Sequence, residues 1–179
     1  MQPAVHRAAL VNDATVIIPG NVYVFGENTP APWSPTSPHH ATNLLGQIRI
    51  KMEQSYRDAG VRTIILRAGD YLDTEASGNW FDRIMAPSLH KGALTFPGKP
   101  GIPRAWAFLP DLARAAVLLA EQRNTLDRFA DICFEGYTLT AEQMAASIAQ
   151  ARNHDVLIKE MAWWPLRFAW PFMPEMKHI

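Results

Sequence analysis

Two short β-branched runs, Thr15–Ile18 and Thr63–Leu66, constrain this chain more than any other feature. Each is too apolar and too brief for an amphipathic helix and reads as a buried strand. Between them lie a loop rich in proline, serine and threonine and a helical pattern from about Thr42 to Ala59, stopped by Gly60. In that pattern Leu45, Ile48, Met52, Tyr56 and Ala59 recur at steps of three and four, one apolar stripe along a helix. A strand–loop–helix–strand unit of this kind predicts an α/β fold whose ligand lies outside the carboxyl ends of parallel strands. The residues just past those ends are Gly20–Asn21 and Ala68–Gly69–Asp70.

The same patterns extend in both directions. Pro3–Asn12 reads as a short helix, and Val22–Phe25 as extended chain after Pro19–Gly20. Glu27–His40 holds Pro30, Pro32, Pro35 and Pro38, so it is a loop, functional or disordered at that length. Trp80–Leu89 looks helical, and the glycines and prolines of Gly92–Gly101 mark turns. Further strands fall at Trp106–Leu109, Phe129–Phe134 and Val156–Met161. Helices fall at Pro110–Gln122, with Leu112, Ala116 and Leu119 inward, and at 140–152, where Thr140 and Gln143 form a capping box. The aromatic run Met161–Met173 is interrupted by Pro165, Arg167 and Pro171. It suits packing against the domain or a partner chain better than a membrane.

Composition narrows the function. Seventeen basic side chains balance seventeen acidic ones, so no general field draws the chain to nucleic acid or an anionic membrane. The single cysteine, Cys133, forbids an internal disulfide and reads as a small buried hydrophobe. With no apolar leader in its first residues, the 179-residue sequence points to one soluble domain in the cytoplasm.

The strand leading into NVYVFG, the proline-rich loop, GQIRIKME opening a helix, IILRAGD and RAWAFLPDLARA together resemble the extended, atypical short-chain dehydrogenase/reductase family. These are the NAD-dependent epimerases and dehydratases. The resemblance runs from about residue 14 to residue 172. It implies a partial Rossmann-like, doubly wound sheet over 1–72 and 105–136, with substrate-side segments at 73–104 and 137–179 forming a small subdomain. The family's glycine-rich fingerprint, which cradles a pyrophosphate at a helix N-terminus, has no match here, so the sequence resembles a C-terminal half.

The family's Ser/Tyr/Lys triad falls on Asn21, Leu45 and Arg49. Leucine has no proton to give and arginine does not titrate as a base, so the triad is degenerate; Tyr23 is the nearby phenol. By resemblance Gly20, Asn21, Arg49, Ala68 and Gly69 would border NAD or NADP, and Asp70 and Arg104 a small, nucleotide-sugar-like substrate. Each has a plainer alternative. Asn21 suits a turn, Arg49 an i,i+4 pair with Glu53, and Asp70 a turn cap after Gly69. Arg104 suits either a ligand phosphate or a nearby carboxylate, and Asp111 a helix N-terminus. His39 and His40 lack a third ligand at metal spacing and read as a solvated loop, so no metal is expected.

Two functions follow from these residues. One is an NAD(P)-dependent epimerase, dehydratase or reductase relative, and the other a non-catalytic ligand-binding module or pseudoenzyme. In either case the strand at 15–18 would present an open edge, which predicts an oligomer or a separate N-terminal partner.

Overall fold

The computed structural model describes residues 2–163, which divide into two compact units: the chain to Ala68 with Asp111–Phe134, and Gly69–Pro110 with the chain from Glu135. The first unit is built on a parallel sheet in the order β1 (Val16–Gly20), β2 (Thr63–Arg67), β6 (Phe129–Cys133). β2 is buried at every residue, as its β-branched run requires. On one sheet face Ile18 lies in register with Ile65, and Ile65 with Asp131. Over that face Ala9 of α1 (Gln2–Val11) and Met52 and Tyr56 of α2 (Leu44–Asp58) close a core with Ile18, Val61 and Ile65. The Asn43 side chain caps α2 by accepting from Gly46 N at 2.8 Å, and α3 (Leu109–Glu121) buries Leu112.

Two segments of this unit differ from the sequence reading. Val22–Val24 is a turn of 3-10 helix rather than extended chain, because the Asn21 carboxamide oxygen accepts from Tyr23 N at 3.1 Å and bends the backbone. The proline-rich loop is folded on its own side chains. Thr29 donates to Phe25 O at 2.5 Å, Trp33 Nε1 donates to Thr29 O at 3.0 Å, and the Trp33 ring stacks on Phe25.

The second unit holds two small sheets. β3 (Asp70–Leu72) runs parallel to β5 (Arg104–Phe108), which pairs antiparallel with β7 (Tyr137–Leu139). Separately, β4 (Ala93–Phe96) pairs with β8 (Leu157–Glu160). The core gathers Met85, Leu94, Phe96 and Trp106 under Ala141, Met144 and Ala145 of α4 (Ala141–Arg152), whose capping box is formed as expected. Gly92–Gly101 is thus only partly turn, since the apolar ALTF within it forms β4. The expected helix at Trp80–Leu89 is reduced to a π turn, Phe81–Met85, and a 3-10 turn, Leu89–Lys91, with Pro87 between them. Gly69 is required where it stands: a Cβ there would lie 2.1 Å from Ala105 O. No described helix is long and apolar enough to cross a membrane, and the aromatic run from Trp164 onward lies outside the described residues.

Candidate functional site

At the carboxyl end of β2 the sheet face carries a charge network that the sequence reading did not single out. Arg67, almost wholly buried, spends its five N–H groups on three elements. Nη1 and Nη2 donate to the two Glu53 oxygens of α2 at 3.1 and 3.0 Å. Nε and Nη2 donate to the two Asp131 oxygens of β6 at 3.1 and 2.5 Å, and Nη1 donates to Asn21 O at 2.7 Å. Burial works to lower the Arg67 pKa, but the bonds to Glu53 and Asp131 outweigh it and hold the guanidinium charged. The Phe25 ring lies 5.4 Å from the guanidinium carbon.

His39 closes this network from the loop. Its Nδ1 stands 3.8 Å from Glu53 Oε2 and its Nε2 3.8 Å from Asp131 Oδ2, with the ring edge-on to Phe25. The histidine expected in solvent without a third ligand is therefore half-buried, and its ring nitrogens and the two carboxylates offer ligand atoms within 4.8 Å of one another. Each oxygen of both carboxylates accepts from Arg67, so the guanidinium is the cation this cluster is built around. Burial, with the Arg67 charge next, pushes the His39 pKa below its ordinary value against the pull of Glu53 and Asp131. Burial and then Asp131 push the Cys133 thiol up, away from reactivity.

The expected cofactor positions are occupied with local work. Gly20 is a close-contact glycine, since a Cβ would meet Ile65 Cγ2 at 2.6 Å. Asn21 is the turn residue, its side chain on Tyr23 N and its carbonyl on Arg67. Ala68 N donates to Gly20 O at 3.1 Å, and Gly69 serves the approach of Ala105. The Arg49–Glu53 pair is not formed, because Glu53 is turned inward onto Arg67; Arg49 and Leu45 are half-buried and Tyr23 is exposed.

In the second unit the two expected substrate residues meet. Arg104 Nη2 donates to Asp70 Oδ2 at 2.5 Å and Nη1 to Pro97 O at 3.0 Å. Its guanidinium carbon lies 5.8 Å from the rings of both Phe96 and Trp106. Arg104, Lys99, Phe96, Pro97, Gly98 and Ile102 line an open pocket of about 200 Å³. A fixed guanidinium and an exposed ammonium beside an apolar floor suit an anionic group on a small organic ligand.

This fold is shared with part of several epimerase, dehydratase and dehydrogenase structures, and the resemblance read from the sequence is met at the level of fold. UDP-N-acetylglucosamine 4-epimerase from Methanobrevibacter ruminantium M1 matches with a TM-score of 0.71 at 17% identity, over 89% of this chain and 54% of that one. The dTDP-glucose 4,6-dehydratase DesIV from Streptomyces venezuelae, with NAD and TYD bound, matches at 0.68 and 16%, over 90% and 52%. L-threonine dehydrogenase from Phytophthora infestans matches at 0.72 and 21%, over 89% and 56%. The chain thus spans about half the length of these structures. No family model and no curated protein sequence matches it.

Proposed function

We propose that this chain is a relative of the NAD(P)-dependent epimerases, dehydratases and reductases that, taken alone, binds an anionic, nucleotide-sugar-like small molecule without turning it over. The observation that carries the reading is the pocket at Phe96–Arg104, where Arg104 and Lys99 stand together over an apolar wall. The absence of turnover follows from the triad positions. Asn21 is spent on a turn, Leu45 offers no proton, and Arg49 stands where the family carries its lysine. NAD or NADP fits the described residues poorly, because Gly20, Asn21, Ala68 and Gly69 are all engaged in contacts of the fold itself.

A second reading, an active oxidoreductase once further chain or a partner is supplied, is favoured by β1. That strand pairs with β2 on one side and with nothing on the other among the described residues. On this reading the edge takes a strand from a second copy or from a separate partner.

Calorimetry of chain 1–179 with UDP, NAD and NADP, beside a hydride-transfer assay, tests the first reading. We expect UDP to bind, the dinucleotides to bind no more tightly than about millimolar, roughly −4 kcal/mol, and no turnover. Measured turnover by the isolated chain would overturn the first reading.

A further inference from the structure

We infer that Asp70 is a built-in competitor for the Arg104 guanidinium: it takes Nη2, so that an anionic ligand reaches that nitrogen by displacing or sharing with its carboxylate. The inference deepens the proposed reading of that pocket as a ligand subsite and rests on it. Three observations carry it. First, Asp70 Oδ2 meets Arg104 Nη2 at 2.5 Å, the geometry of a charge-assisted bond that a phosphate or carboxylate oxygen would otherwise take. Second, the pair is part-exposed, Arg104 by 31% and Asp70 by 24% of their side chains, so solvent reaches both partners. Third, Arg104 does not depend on Asp70 for its place. Nη1 is held by Pro97 O at 3.0 Å, and the guanidinium carbon stands 5.8 Å from both the Phe96 and Trp106 rings.

The competition has a simple electrostatic form. With Asp70 ionised, the Arg104 charge is locally cancelled and Lys99 is the remaining cation on the pocket wall. An incoming dianion meets the Asp70 carboxylate as a like charge beside the same guanidinium, which costs affinity even where the two share donors. Asparagine at 70 keeps the shape and a hydrogen-bonding oxygen but removes the charge. A residue that merely oriented Arg104 would lose ligand affinity on this change, whereas a competitor gains it.

The test is calorimetric titration of the full chain with inorganic pyrophosphate at fixed ionic strength. Wild type, Asp70→Asn, Asp70→Ser, Arg104→Gln and the double variant Asp70→Asn with Arg104→Gln are compared, each checked for folding by circular dichroism. We expect Asp70→Asn to bind about tenfold more tightly than wild type, Asp70→Ser to gain in the same direction should the asparagine variant fail to fold, and the double variant to lose the gain. Equal or weaker binding by both Asp70 variants, with wild-type binding still lost in Arg104→Gln, overturns the competitor and leaves the pocket reading standing. Pyrophosphate binding that is absent from every variant, or indifferent to Arg104→Gln, overturns both.

Discussion

Two arginines at the ends of strands do opposite things in this chain. Arg67 ends β2 with its side chain 1% exposed and every N–H committed to Glu53, Asp131 and Asn21. Arg104 opens β5 with its side chain 31% exposed, one carboxylate partner and a pocket beside it. The same functional group is a closed structural joint in one unit and a ligand-facing cation in the other. What separates them is the number of acceptors the fold brings to the guanidinium and the water left around it.

The comparison breaks most visibly on truncation. Arg67→Met leaves Glu53 and Asp131 as uncompensated buried carboxylates and should cost about 3–5 kcal/mol in urea unfolding. Arg104→Met should cost no more than about 1 kcal/mol, because its partner is solvated. Equal losses would mean that Arg104 is as structural as Arg67. Next in size, Gly69→Ala forces a Cβ toward Ala105 O and should destabilise by about 1–3 kcal/mol, seen in the same unfolding experiment.

The His39 contact sharpens the first half of the comparison through pH. Its folded pKa lies below the ordinary 6.5, so folding keeps its full stability above that value and loses it as pH falls below. The groups facing the ring are Glu53 and Arg57 of α2, Arg67 of β2 and Asp131 of β6. The slope for one histidine is at most about 1.4 kcal/mol per pH unit, and His39→Gln should remove that share of it. An unchanged slope in His39→Gln would place the titration elsewhere. The smallest expected effect is on chemistry: Leu45→Tyr with Arg49→Lys should leave hydride transfer undetectable, since Asn21 remains committed to its turn.

The strands and helices of the first unit were legible because their side-chain periods are unambiguous. Val16–Ile18, Thr63–Leu66 and the stripe Leu45, Ile48, Met52, Tyr56, Ala59 each admit one secondary structure, although only Met52, Tyr56 and Ala59 of the stripe join the core and Ile48 is exposed. β3 and β7 were not, since three residues carry no period. At the site, Asp70 and Arg104 were named, and their pairing was one of the alternatives open to Arg104. The Arg67 network was missed although a signal was present. Glu53 lies three residues before Tyr56 on the inward side of α2, and Asp131 alternates with Phe129 and Cys133 on the face of β6 that carries Phe129 inward. Two carboxylates on buried faces require a cation, and the arginine closing the apolar run Thr63–Leu66 supplies it. The role of His39 was not legible, because a folded proline-rich loop, and not sequence spacing, brings it to Glu53 and Asp131.

Amide chemical-shift mapping with UDP tests most directly where this chain meets its ligand. The account predicts saturable shifts at Phe96, Gly98, Lys99, Ile102 and Arg104, with Gly20–Tyr23 and Arg49 unmoved. Shifts centred on Gly20, Asn21 and Arg49 with the Arg104 pocket silent would contradict it.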